Sequence, residues 1–279
     1  MRILIKIGGA QLEQADSRHQ LCSAIAKARG EGHEVVVVHG GGNQIREMSQ
    51  ALGLTDRYHD GLRITDAATA KVVLMVLAGQ VNRTLTAALQ RCGLTAVGLT
   101  GADGGSFTAR QLERDGVELG YVGTIDSVQP QLGNDLLSRG YVPVFATVAP
   151  TAAEATNPAD DEPFYNLNAD HAASPLCHAL RCDALLFLTD VPGVLGRDGE
   201  VCPELTAPDC EQLLTEGIAT GGMLPKLEAA LHAVAENPNT LIKIAPATGP
   251  DAVLQALDAT TGTSFVASPA TAQQEAQHG

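Results

Sequence analysis

Two lysines, each close to a pair of glycines, are the residues of this chain best suited to chemistry. Lys6 precedes Gly8 and Gly9 at the close of the apolar run ILIKI, and Lys226 follows Gly221 and Gly222 in TGGMLPK. Glycine lets backbone N–H groups approach an anion closely, and a neighbouring ammonium adds full charge. The run around Lys6 is apolar enough for a central strand, where an ammonium without a task is costly. The competing reading, an edge-strand lysine before a turn, suits such a run less well. Pro225 marks a first helical turn. That places Lys226 at the positive end of a helix dipole, where stability alone favours an acid. A third glycine group, Gly40, Gly41 and Gly42, follows His39 and opens a helix, which offers N–H groups to an anion. It matches neither G-x-G-x-x-G nor G-x-x-x-x-G-K-[ST], so neither a dinucleotide fingerprint nor a Walker loop is supported. His39 is given no catalytic role.

Other residues are ambiguous alone. Arg63, in GLRIT, has the fork that binds carboxylates, but an arginine in a turn is ordinarily a solvated surface group. Asn166 and Asp170, in NLNAD, precede a helix, and Asp170 reads equally as a cap or a functional acid. The stretch Asp190, Val191, Pro192, Gly193, Val194 and Leu195 follows the apolar ALLFLT and reads as a tight turn. The six cysteines are scattered, show no C-x-x-C pair and no zinc-ligand spacing, and are expected to be reduced.

These residues need a frame to bring them together. Short apolar runs alternate with amphipathic stretches, the pattern of βαβ units and a mostly parallel sheet. Strands are expected at 3–7, 34–39, 95–99, 142–146, 184–188 and 241–244. Helices are expected at 18–29, 43–52, 66–78, 81–91, 131–139, 169–180, 207–216 and 224–236. A turn or small hairpin is expected at 58–65 and a larger one at 106–125. The Ala-, Pro- and acid-rich 150–163 reads as an exposed loop. In open parallel sheets, ligands bind beyond the carboxyl ends of strands, and all three glycine turns are assigned to such ends. A net charge of −14 argues against a nucleic-acid partner. Lys6 breaks up the opening apolar stretch, so no signal peptide is read there, and no run reaches the ~20 apolar residues of a membrane span. A cytoplasmic enzyme is expected.

In this order and at these spacings, K-x-G-G, H-G-G-G, G-L-R-x-T, N-x-N-A-D and G-G-M-x-x-K resemble the amino-acid kinase family, over nearly the whole chain. The resemblance implies a three-layer αβα sandwich with a mainly parallel open central sheet and two lobes. Residues 1–175 would bind substrate and dimerise, 176–267 would bind ATP, and 268–279 would form a disordered tail. It implies transfer of a phosphoryl group from ATP with Mg²⁺ to a carboxylate, that of N-acetyl-L-glutamate foremost, as in arginine biosynthesis. Lys6 and Lys226 would stabilise the group in flight, and Asp170 would organise both lysines. Gly8 and Gly9 would bind phosphate. Gly41, Gly42, Arg63 and Asn166 would line the substrate. Asp190 to Leu195, with Ile218, Ala219 and Thr220, would frame the nucleotide. No protein side chain would hold a metal, the Mg²⁺ being carried by ATP.

The alternatives are a sibling kinase acting on carrier-linked aminoadipate and a non-catalytic amino-acid-binding regulator. The first departs from G-L-R-x-T in its relatives, and the second has no need of both lysines and Asp170. The resemblance departs from its pattern at 150–163, which is longer and more acidic than usual, and at Ala102, where relatives often carry lysine. Hexameric, arginine-inhibited relatives carry an extra helix before the first strand. Here strand residues follow Met1 at once, so a homodimer not inhibited by that mechanism is expected.

Overall fold

The computed structural model describes residues 1–114, 116–152 and 164–267. Runs of aliphatic residues buried on both faces form the strands of a parallel sheet. Arg2–Ile7 and Glu34–His39 each bury their last five residues and pair in parallel, with Ile5 opposite Val37 and Ile7 opposite His39. The central sheet has eight strands. Their order is Glu204–Leu205, Thr263–Phe265, Leu241–Pro246, Ala184–Thr189, Arg2–Ile7, Glu34–His39, Val142–Ala146 and Ala96–Leu99. Among the described residues its one antiparallel pairing joins Leu241–Pro246 to Thr263–Phe265.

Alternation along Arg2–Ile7 builds two cores. Ile3, Ile5 and Ile7 pack with Leu21 and Ile25 of the helix Ala15–Gly30. Leu4 packs on the other face with Ala173, Leu176 and Cys177 of the helix Ala169–Ala179. Helices therefore cover both faces, giving the expected αβα layering. The sheet is continuous across residue 175, because Arg2–Ile7 pairs with Ala184–Thr189 as well as with Glu34–His39. The chain leaves Arg2–Ile7 in one direction and returns on its other side, so the end of this strand is the topological switch point where such sheets bind ligands.

A smaller sheet, ordered Phe107–Gln111, Val122–Val128, Phe164–Leu167 and Val148–Pro150, flanks that end. Its hairpin is the one expected at 106–125, carried on to Val128. The hairpin at 58–65 pairs Tyr58–His59 with Leu62–Arg63. Its tight turn uses Asp60 and Gly61, both at positive φ.

Three expectations are corrected. The helices at 66–78 and 81–91 are one unbroken stretch, in which Ala67–Leu74 passes through a π-helical segment, Met75–Val81, into Asn82–Arg91. Gly79 and Gln80 read as a break, but one glycine weakens a helix without ending it, and Val76, Leu77 and Val81 are held in the core. By length and composition this stretch suffices to cross a membrane, and 56% of its most apolar window is buried inside the fold. The third glycine turn lies between the helices Ala207–Thr215 and Leu224–Glu236, so it follows a helix where a strand was expected. Finally, Pro150 ends a strand where a loop was expected to begin. The rest of that loop from 153 onward, and the 268–279 tail, lie outside the described residues.

Candidate active site

The strand Arg2–Ile7 delivers Lys6 to the switch point. The pleat sends Lys6 to the same face as Leu4, toward the helix Ala169–Ala179. Asn168 caps that helix and accepts from the backbone N–H groups of Asp170 (2.8 Å) and His171 (3.3 Å). With its backbone so held, Asp170 in the first turn meets Lys6, Nζ to Oδ1 being 2.6 Å with both side chains at most 10% exposed. The contact is a buried ion pair. Burial lowers the Lys6 pKa from its ordinary value, Asp170 opposes this, and the Lys226 ammonium pushes it down again.

That last influence brings the two lysines into one field although they stand on different elements. Lys226 is half-buried in the first turn of Leu224–Glu236, and its Nζ donates to the Gly222 carbonyl at 3.3 Å. Among the described residues no ion pair joins it to Asp170. The structure thus brings Asp170 into an ion pair with Lys6, while Lys226 reaches that pair only through the charge it exerts on Lys6.

A cavity of about 280 Å³ opens beside the pair. Gly8, Gly9, Gly41 and Gly42 line it together with Lys6 and Asp170. The two glycine turns face each other, a Cβ on Gly9 coming within 3.7 Å of the Gly42 nitrogen. Gly41 has a steric reason to be glycine, because a Cβ there would stand 2.8 Å from Leu77 and 3.0 Å from Val81 of the π-helical segment. His39, just before, is wholly buried. Its Nδ1 lies 2.9 Å from the Gly40 carbonyl and its Nε2 2.9 Å from Asn82 Nδ2. The first contact needs a proton on Nδ1 and the second a lone pair on Nε2, which defines one neutral tautomer. Burial holds its pKa down at about 4. It is a structural residue.

A second cluster lines the same cavity. Arg63 is buried, ion-paired through Nη1 with Asp56, and donates from Nη2 to the Gly42 carbonyl at 2.9 Å. Its Cζ sits 4.9 Å from the centre of the Tyr58 ring. Asn166 Nδ2 donates to Thr65 Oγ1 at 3.2 Å, and Thr65 Oγ1 donates to the Arg63 carbonyl at 2.7 Å. The strand Phe164–Leu167 and the 58–63 hairpin are thereby tied together.

The segments expected to frame a nucleotide divide by exposure. Asp190, Pro192, Leu195 and Thr220 are exposed, and Val191 and Ile218 are half-buried. Gly193, Val194 and Ala219 are buried. Val194 donates its N–H to Thr263 Oγ1 at 2.8 Å, and a Cβ on Gly193 would come within 2.7 Å of Val201. Those two build the turn and leave Asp190, Pro192 and Leu195 facing outward. No group of three or more His, Cys, Asp or Glu among the described residues is placed to hold a metal ion.

Sequence reading passed over three contributors. Arg46 and Tyr58 line the cavity beside Arg63. Arg46 stands four residues after Gly42 on the helix Gly42–Ala51, and Tyr58 is the register partner of Arg63. Helical and hairpin spacing were the signals that point to them. Gln11 is buried, with its amide oriented so that Nε2 donates to the Gly8 carbonyl (3.2 Å) and Oε1 accepts from the Asp190 N–H (3.1 Å).

The amino acid kinase family model matches residues 1–243. Acetylglutamate kinase of Solibacter usitatus is 44% identical over 257 residues, which cover 92% of this chain and 95% of that protein. Acetylglutamate kinase of Koribacter versatilis is 42% identical over 255 residues, covering 91% and 93%. Among solved structures, smu.665 from Streptococcus mutans superposes with a TM-score of 0.78 at 26% identity, covering 95% of this chain and 98% of that one. By its motifs, its sheet and these matches, the chain belongs to the amino acid kinase family.

Proposed function

We propose that this chain transfers the γ-phosphoryl group of MgATP to the side-chain carboxylate of N-acetyl-L-glutamate, a step of arginine biosynthesis. The observation that carries the reading is the enclosed Lys6–Asp170 pair, in the field of Lys226, on a cavity that also holds Arg63. Similarity to acetylglutamate kinases over nine-tenths of the chain supports the choice of substrate.

No catalytic base is required. A carboxylic acid with a pKa near ~4.3 is ionised at neutral pH. Its oxygen attacks the γ-phosphorus, a new P–O bond forms, and the bond to the bridging oxygen breaks with its electrons leaving on ADP. Little covalent chemistry falls to the protein, so catalysis is positioning and charge stabilisation. Lys6 and Lys226 offset charge gathering on the transferred group, and Gly8 and Gly9 offer N–H groups to it. Asp170 holds Lys6 in place. Gly41 and Gly42 line the substrate, while Arg63 and Asn166 fix its amino-acid end. Asp190 to Leu195 and Ile218 to Thr220 frame the nucleotide, with Asp190, Pro192, Leu195 and Thr220 the exposed members. Mg²⁺ would be carried by the nucleotide rather than held by protein side chains, and would supply further charge to offset the phosphate oxygens. The substrate wing is 1–175 and the nucleotide wing 176–267.

The enzyme works in the cytoplasm, where its nucleotide is made. It works as a homodimer, for which exposed Met48 and Met75 on adjoining helices, with Leu52 just past the end of the first, supply apolar surface. The deciding experiment is an ADP-release assay with hydroxylamine trapping of the acyl phosphate. N-acetyl-L-glutamate is compared with aminoadipate derivatives, aspartate and carbamate. ADP release with hydroxamate formation should be greatest with acetylglutamate, and preference for another acceptor would overturn the assignment.

A further inference from the structure

His39 is buried, yet its hydrogen bonds end on the loop that lines the cavity. Its side chain lies on the face of Glu34–His39 shared with Val37, against Asn82 of the helix Asn82–Arg91. Asn82 Nδ2 donates to His39 Nε2 and to the Val144 carbonyl, at 2.9 Å each. Asn82 Oδ1 accepts from Arg83 Nη2 at 2.7 Å. The amide is thereby fixed with its donor toward the imidazole, which leaves the ring proton on Nδ1, facing the Gly40 carbonyl at 2.9 Å. Room for this relay is kept by Gly98 of the edge strand Ala96–Leu99, where a Cβ would collide with Asn82 Oδ1 and Arg83 Nη2. Leucine would fill the same core without burying polar atoms. Two oriented hydrogen bonds point to a further task.

That task is a direction. With no cis peptide bond present, the Gly40 C=O and the Gly41 N–H lie antiparallel in one plane. His39 draws the carbonyl toward the core that holds Val81 and Leu85, while Lys6 stands on the opposite face with Leu4. The Gly41 N–H is therefore turned away from that core, toward the cavity that Gly41 lines with Lys6 and Asp170. Among the described residues no acceptor takes it. Thr147 Oγ1, on the same cavity, donates to the His39 carbonyl at 3.2 Å and steadies the preceding peptide.

We propose that His39 is a positioning residue: with its tautomer set by Asn82, it holds the Gly40 carbonyl back so that the Gly41 N–H is aimed at the oxygen charge gathering on the phosphoryl group in transfer. This rests on the carboxylate-kinase reading and deepens it. A donor aimed in advance at developing charge needs no reorganisation during the reaction.

The test moves one donor between two places. In His39→Asn the amide nitrogen takes the place of Nδ1 and donates to Gly40. In His39→Gln it stands nearer the place of Nε2 and faces Asn82. With MgATP and N-acetyl-L-glutamate, turnover of His39→Gln should fall about tenfold or more, short of the ~10²–10³ for deleting a donor outright. Both KM values should stay within about threefold. His39→Asn should keep most of the turnover although it removes more volume and melts at a lower temperature. Turnover that follows melting temperature through the two variants, or losses confined to KM, would overturn the proposal. If either variant does not fold, Asn82→Ser leaves His39 in place and removes the donor that sets its tautomer. Its turnover should fall about threefold or more with both KM values held, and an unchanged turnover would overturn the proposal.

A spectroscopic arm is independent of turnover. Glycine labelled with ¹³C at the carbonyl and ¹⁵N at the amide limits the NMR signals to Gly–Gly bonds, of which Gly40–Gly41 is one. Inorganic phosphate should shift the Gly41 N–H in wild type and His39→Asn, and leave it in place in His39→Gln. If wild type transfers no phosphoryl group to acetylglutamate, the reading of function fails and this titration judges His39 alone. A Gly41 signal that stays still in wild type, or moves equally in His39→Gln, would sink the proposal.

Discussion

Lys6 and Lys226 are assigned one task, and the fold holds them in opposite ways. Lys6 stands on a central strand, 5% exposed, with its ammonium against Asp170. Lys226 stands half-buried on the first turn of a helix, with the Gly222 carbonyl as its hydrogen-bond acceptor. The first is a component of the core as well as of the site, since removing it would strand a buried carboxylate. The second is a charge laid on the surface of a helix end. With the ion pair in view, a loss of turnover without a matching loss of stability is expected for Lys226 alone.

The largest effect separates the two. Lys6→Ala should lower turnover by ~10²–10³ and also cost about 3–5 kcal/mol of stability, because Asp170 is left buried and unpaired. Lys226→Ala should show a turnover loss of the same order with its melting temperature nearly unchanged. Adding Asp170→Asn to Lys6→Ala should recover much of the stability and none of the rate. The measurement is a thermal melt beside a turnover assay for each variant. A well-folded Lys226→Ala enzyme with near-normal turnover would remove that lysine from the mechanism.

The next effect tests the enclosed side of the comparison through pH. His39 is neutral in the fold with a pKa of about 4, against an ordinary 6.5. Between those values the unfolded chain binds more protons than the folded one, so stability rises with pH. His39 thus exerts no penalty above about 6.5, and the fold loses stability as pH falls through the window toward 4. The 2.5-unit difference is about 3 kcal/mol in total. His39→Gln should flatten this part of the pH–stability curve, read by urea unfolding at several pH values. An unaltered curve would show that other groups carry the acid sensitivity.

How far the site could be read from residues alone follows the same division. Lys6 was legible because an ammonium in an apolar strand conflicts with its surroundings, and Lys226 because a lysine opposes the helix dipole. The parallel sheet was legible from its runs of Val, Ile and Leu, which few other structures bury. The unbroken 67–91 helix was not, because a π-helical segment has no local signature and is held by packing of Val76, Leu77 and Val81. The short strand Thr263–Phe265 depends on neighbours far along the chain and carries no pattern of its own. Gln11 and Asp56 escaped for a related reason. Each is an ordinary polar residue in the chain, and only the turns that meet around the cavity give it a partner.

The recognition cluster should respond on a smaller scale than the lysines. Arg63→Lys keeps the charge and loses the fork that reaches Asp56, Gly42 and a carboxylate together. Binding of acetylglutamate should weaken about tenfold, as a point charge replaces a bidentate donor. Binding of ATP should change little. Matched calorimetric titrations read both. Equal losses, or a loss confined to ATP, would place Arg63 outside substrate recognition and blur the division between the substrate cluster and the nucleotide segments.

The smallest effect concerns the join between those two parts. Gln11 bridges the Gly8 carbonyl, at the end of Arg2–Ile7, and the Asp190 N–H, at the end of Ala184–Thr189. These neighbouring strands flank the switch point, and their turns are the ones proposed above to meet phosphate and nucleotide respectively. Gln11→Leu keeps the volume and removes both hydrogen bonds. Burying an unpaired carbonyl or amide costs about 1–3 kcal/mol, but Asp190 is exposed and water can satisfy its N–H once the bridge is gone. The expected result is a rise of about threefold in the KM for ATP, corresponding to a fraction of one such hydrogen bond. The KM for acetylglutamate should stay as it was, because Gln11 is not among the residues lining that cavity. Gln11→Glu retains the acceptor for Asp190 and loses the donor to Gly8, so it should fall between wild type and Gln11→Leu. Equal rises in both KM values would show that Gln11 supports the whole switch point, and an unchanged KM for ATP would show that Asp190 holds its place without it.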